Sequence, residues 1–172
     1  MIPRIQNILY ATDLSENSAY AFRYAVNSAQ KHSAKIHLLH VVEMLHPAIA
    51  VQFSLHLEEG QIEKLKQEKR DQQLQRIRVR LQEFAKRELK DEPEGLKMVG
   101  KVWVVEGDPA TEILKKMDDL QCDILIIGSH GKGFLAQAFL GSVAEKVLHR
   151  IHKPVYIIPL PKGDTDITFH DV

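Results

Sequence analysis

The chain has one cysteine, Cys122, so no disulfide forms within it and the thiol suits a reducing compartment. No sign of charge prevails, because 23 lysines and arginines balance 23 aspartates and glutamates. A zero formal charge supplies no global field toward nucleic acid or an anionic membrane, and neither partner is expected. No apolar run approaches the roughly 18 residues that a membrane span requires. The opening MIPRIQNILYATD turns polar too soon for a secretory h-region. There is no internal repeat. These absences predict a soluble, cytoplasmic, one-domain protein, and 172 residues are enough for a self-sufficient core.

What is present is an alternation of β-like and helical segments. Strands are expected at 5–11, 35–43, 96–106, 122–128 and 153–160, several of them nearly continuous in Ile, Val and Leu. Continuous apolar runs are the mark of parallel strands covered by helices on both faces. A first helix is predicted to start near Ser15, capped by Asp13 or Ser15, and to bury Ala21, Phe22, Ala25, Val26 and Ala29. At GDPATE, Gly107 reads as a turn, Asp108 as an N-cap and Pro109 as the first helical residue. Ile113, Leu114 and Met117 then supply the buried face of that helix. A last helix is expected from about Gly141, turning Val143, Val147, Leu148 and Ile151 inward and stopping before Lys153-Pro154.

The region between strands two and three is longer and odder. A helix is predicted from about Leu57 to Lys90, with Ile77, Leu81, Phe84, Ala85 and Leu89 as its core stripe. Its first half, EEGQIEKLKQEKRDQQ, is mostly charge and glutamine. With the preceding segment from residue 44, this makes a variable 44–76 region. The charged half reads as a solvated helical projection, with a surface for an unknown protein partner as the alternative, while HPAIAVQFSLHLEE at 46–59 stays open between a lid, an edge strand and a dimer contact. The domain is taken as 1–160 and the polar stretch 161–172 as a tail. The alternation as a whole predicts an open, Rossmann-like parallel sheet with right-handed crossovers. Ligands of such sheets bind beyond the carboxyl ends of the strands, where the strand order reverses.

Two loops therefore matter most, ATDLS after strand one and GSHGKG after strand four. The second opens the run GSHGKGFLAQAFLGS at 128–142, which is neither a P-loop nor a G-x-G-x-x-G fingerprint. It spells G-x2-G-x9-G-S through Gly128, Gly131, Gly141 and Ser142. The first two glycines are expected to let backbone amides approach a ligand. Gly141 and Ser142 would open a helix whose unpaired N–H groups suit an anion. The nine residues between must then return the chain to the same place. The histidines form no metal constellation: His37 and His40 lie on opposite faces of a strand, and His149 and His152 lack a third ligand.

The stretch GSHGKGFLAQAFLGSVAEKVLHRIHKPVYIIP resembles the C-terminal signature of the universal stress protein family, in its ATP-binding branch. NILYATDLSENS, LLHVVE and VVEGDPATEIL resemble other signatures of the family, so the resemblance covers nearly the full chain. It implies a five-stranded parallel sheet in the order 3-2-1-4-5, helices on both faces, and ATP (or ADP or AMP) as ligand. Read locally, Asp13 serves equally as a helix cap or a ligand contact; the resemblance favours the adenosine moiety. It further implies Val41 at the adenine edge, Ala11, Thr12 and Ile127 near base or sugar, and Gly128, His130 and Gly131 along the ribose and phosphates. Gly141, Ser142 and Val143 would hold the phosphates, on which magnesium or manganese would arrive. The family often has proline where this chain has Ala11. A homodimer is expected through the edge strand Val155–Pro159. Three functions stay open: a nucleotide-dependent stress-response switch, a slow ATP hydrolase, and a dimerisation module without turnover. The loop shows no evident water-orienting carboxylate, and for Lys132 a phosphate contact and a solvated position stand level.

Overall fold

Five apolar runs form one parallel sheet in the computed structural model, which describes residues 2–43, 59–130 and 140–159. The strands are β1 (Asn7–Ala11), β2 (Lys35–Val42), β3 (Val99–Glu106), β4 (Ile124–Gly128) and β5 (Val155–Ile158). Their order is β3-β2-β1-β4-β5 and every pairing is parallel. This is the predicted order, and it puts β1 beside β4 at the reversal. The helices are α1 (Glu16–His32), α2 (Glu59–Glu88), α3 (Pro93–Met98), α4 (Pro109–Asp119) and α5 (Ser142–Leu148).

Neighbouring strand residues enter different cores, which is why the strands read as unbroken apolar runs. Ile8, Tyr10, Ile36, Leu38, Ile124 and Ile126 meet Ala21, Phe22 and Ala25 of α1, Leu81 and Phe84 of α2, and Leu89 just beyond it. Leu9, Ala11, Leu39, Leu125 and Ile127 meet Ala110, Ile113 and Met117 of α4 and Val147 of α5. Phe22 sits between Tyr10 and Phe84, each ring centroid 5.2 Å from its own. The predicted faces of α1 and α4 are buried, with Leu114 only partly covered.

Helix caps follow local chemistry. Ser15, not Asp13, caps α1: its side chain accepts from the Ser18 N–H at 3.3 Å. Asp108 caps α4, accepting from the Thr111 N–H at 2.9 Å and the Thr111 hydroxyl at 2.7 Å. Those two bonds hold its carboxyl below the usual carboxylate range. Gly107 has φ +154°, and a Cβ there would lie 2.9 Å from Glu112 Cγ, so the turn requires glycine. Burial pushes the Cys122 thiol up to about 11, which keeps it protonated and unreactive near neutral pH.

Two expectations need correction. Strand three begins at Val99 rather than 96, because Pro93 opens the short helix α3 in front of it. Leu96 and Met98 resemble strand alternation but lie in α3, packed on the core. Gly95 makes that contact possible, since a Cβ there would lie 2.9 Å from Val26 Cγ1. Leu148 is 39% exposed, because α5 ends there and its inward face is Ala144 and Val147. The expected tail at 161–172 and the segment 44–58 lie outside the described residues.

Candidate functional site

The loop leaving β1 is held in shape by its own short polar side chains. Thr12 N–H donates to the Leu39 carbonyl at 2.9 Å, and Thr12 Oγ1 accepts from the Leu14 N–H at 3.0 Å. The Thr12 and Ser18 hydroxyls share a bond of 2.8 Å. Leu14 adopts φ 65°, a left-handed conformation that costs a leucine on the order of 1–3 kcal/mol. Asp13 Oδ1 accepts from both the N–H and the hydroxyl of Ser15, at 3.1 and 2.6 Å. Ser15 does the capping, and these two bonds orient the Asp13 carboxylate at the helix start. His40 Nδ1 lies 2.8 Å from the Thr12 carbonyl oxygen, which only accepts, so the ring proton sits on Nδ1.

Across the reversal, β4 ends in Gly128-Ser129-His130. Ser129 N–H donates to the Ile158 carbonyl at 2.8 Å, and Gly141 N–H donates to the Ser129 carbonyl at 2.8 Å. That second bond is the expected return of the chain: it sets Gly141-Ser142 beside the end of β4. Gly131, Lys132 and the rest of 131–139 lie outside the described residues. Gly141 is the N-cap of α5 and gives it no side-chain bond, unlike Ser15 on α1 and Asp108 on α4. The N–H groups of a first helical turn have no acceptor within their own helix, so those of Ser142, Val143 and Ala144 remain to be satisfied from outside it.

These loops enclose a cleft of about 800 Å³ at the carboxyl ends of the strands, within the range of small-molecule sites. Ala11, Thr12, Asp13, Val41, Ile127, Gly128, His130, Gly141, Ser142 and Val143 all line it. Of the residues expected at a site, only Gly131 falls outside what is described.

The cleft has walls that the motifs did not reveal. Gln73, Ile77 and Arg80, at i, i+4 and i+7 of α2, line it. The 30 residues of α2 span about 45 Å and the eight of β3 about 26 Å, so the helix extends past the sheet. An ion pair of Arg70 with Glu106 ties that extension to the end of β3. The charged first half of the helix is thus partly a wall, and its hydrophilic composition concealed this. Glu43 and Glu145 also line the cleft, so carboxylates are closer than the loop reading allowed. Gly128 differs too: a Cβ there would lie 3.0 Å from Asn17 Nδ2 and 3.2 Å from its Cγ. The glycine makes room for Asn17 of α1, a residue no motif had singled out. Among the described residues, no group of three or more His, Cys, Asp or Glu side chains is placed to hold a metal.

Fold and cleft define a doubly wound α/β protein whose ligand crevice lies where the strand order reverses. The chain belongs to the universal stress protein family, whose model matches residues 4–159. Universal stress protein MJ0577 of Methanocaldococcus jannaschii is 33% identical over 156 residues, covering 89% of this chain and 94% of that one. Its solved structure superposes with a TM-score of 0.72 at 28% identity, over 94% of this chain and 100% of that one. Two further solved members share the fold. One was solved in complex with cAMP (TM-score 0.54, 20% identity, 91% of this chain and 98% of that one). The other, from Arabidopsis thaliana, has AMP bound (TM-score 0.56, 18% identity, 91% of this chain and 93% of that one). No helix among the described residues is long and apolar enough to cross a membrane.

Proposed function

We propose that the crevice binds an adenine nucleotide, ATP or its products ADP and AMP, and that the chain acts in the cytoplasm as a nucleotide-dependent stress-response switch. The observation that carries this reading is the bond from Gly141 N–H to the Ser129 carbonyl. It sets an uncapped helix start beside the end of β4, in the same cleft as the Asp13 carboxylate. Donors for an anion and an acceptor for ribose hydroxyls thus share one cavity large enough for a nucleotide. The family members solved with cAMP and with AMP bound support the same ligand class.

In this reading Ala11, Thr12, Asp13, Val41 and Ile127 take the adenosine. Gly128, His130, Gly131, Gly141, Ser142 and Val143 take the phosphates, with magnesium or manganese carried on them. Arg80 adds a cation from the α2 wall; among the described residues it has no acidic partner. Titration calorimetry with ATP, ADP, AMP and cyclic AMP tests the assignment. The wild-type chain is expected to bind ATP saturably, and Arg80→Gln to bind it about tenfold more weakly, equivalent to about 1.4 kcal/mol. Equal ATP affinity in the two proteins would remove Arg80 from the site.

A slow hydrolase is the second reading, favoured by Glu145 in the cleft wall one turn from Ser142. Phosphate release from bound ATP separates it from a pure switch. The homodimer is proposed through the outer edge of β5, at Val155–Pro159, where Tyr156 is 44% exposed and the strand, among the described residues, pairs on one side only. Ile157→Lys is expected to give monomers on a sizing column; an unchanged dimer would move the interface elsewhere.

A further inference from the structure

We infer that Asn17 is a positioning residue that sets the phosphate side of the crevice against its base side. It rests on the proposed nucleotide site for its ligand but has an independent test without one. Asn17 sits in the first turn of α1, four residues after Asp13, and is only 6% exposed. Its Nδ2 donates to the His130 carbonyl at 2.6 Å and faces Ser129 Oγ at 3.5 Å. Ser129 Oγ in turn bonds His130 Nδ1 at 2.9 Å. One amide thereby grips the backbone and, through Ser129, the ring of a residue that lines the cleft.

The grip lies between the two halves of the site. On one side, the start of α1 carries the bonds that orient Asp13 and Thr12. On the other, the Ser129 carbonyl receives Gly141 N–H and so locates the start of α5. Gly128 has no Cβ where one would crowd this amide. The arrangement leaves Asn17 Oδ1 buried without a partner among the described residues. A buried acceptor left unpaired is costly and calls for an explanation. Orientation of the opposite end of the amide supplies one. Retaining an asparagine here serves the placement of 128–130 rather than the stability of α1.

Amide hydrogen exchange of ligand-free Asn17→Ala and Asn17→Asp tests the inference. The Asp variant keeps the shape but offers no N–H to the His130 carbonyl. In both, exchange at Ser129 and Gly141 is expected to rise at least tenfold, while Leu9 and Ile126 in the sheet centre stay protected. ATP affinity is expected to fall at least tenfold and adenosine affinity less than twofold. Unchanged exchange at Ser129 and Gly141, or equal losses for ATP and adenosine, would overturn the role. Should the variants lose global stability, Gly128→Ala in the Asn17→Ala background keeps the test alive. The added methyl should then cost less than it does beside Asn17, and an equal cost in both backgrounds would count against the inference. If wild type binds no nucleotide while the local exchange effect persists, the functional reading fails and the role of Asn17 stands.

Discussion

The Phe84→Ala substitution is expected to lower the unfolding free energy by about 3–5 kcal/mol, the usual cost of removing a buried aromatic ring. Phe84 is 1% exposed and packs its ring against Phe22, which itself touches Tyr10 of the central strand. The apolar anchors of α2 that are fully buried lie in its last turns and just beyond, at Leu81, Phe84, Ala85 and Leu89. Residues 67–73 of the helix are exposed and contribute little apolar burial of their own. Loss of the ring therefore loosens the whole helix from the sheet. Gln73, Ile77 and Arg80 lie within the preceding three turns, so the cleft wall should loosen with it. Urea unfolding measures the stability change, and a loss below 1 kcal/mol would show that α2 is held by other contacts.

Gly128→Val is expected to reduce nucleotide binding on the order of 100-fold, equivalent to about 2.8 kcal/mol. The reason is not a side chain entering the ligand space. A Cβ at 128 would lie 3.0 Å from Asn17 Nδ2 and 3.4 Å from the Asn17 backbone carbonyl carbon. The side-chain amide could shift, but the helix backbone is held by the Ser15 cap. Two further methyls leave the amide no route that keeps its bond to His130, and overpacking of this kind costs about 1–3 kcal/mol of stability. Calorimetric titration checks the binding loss, and wild-type affinity in this variant would refute the packing argument.

Much of this was legible because local chemistry and tertiary packing agree. Pro109 and Asp108 mark a helix start whatever surrounds them, and the structure has α4 starting there. The spacing from Gly128 to Gly141 required a returning chain, and one backbone bond closes it. Other features depend on contacts that no local pattern carries. Leu96 and Met98 alternate like strand residues, yet Pro93 and a buried Gly95 make them a helix against α1. Arg80 reads as one charge among many until the length of α2 brings it over the sheet. Asn17 looks like an ordinary first-turn residue of α1, and its grip on His130 joins residues 113 positions apart. His40 shows no role in the sequence beyond its place on a strand face, and in the fold it lines the cleft and holds the Thr12 carbonyl.

Amide shift mapping of the isotope-labelled chain during titration with ATP tests the central claim most directly. The account predicts saturable shifts concentrated at Ala11–Asp13, Val41, Ile127–His130 and Gly141–Val143, with smaller shifts at Gln73, Ile77 and Arg80. Saturable shifts clustered elsewhere, or none with any adenine nucleotide, would contradict it.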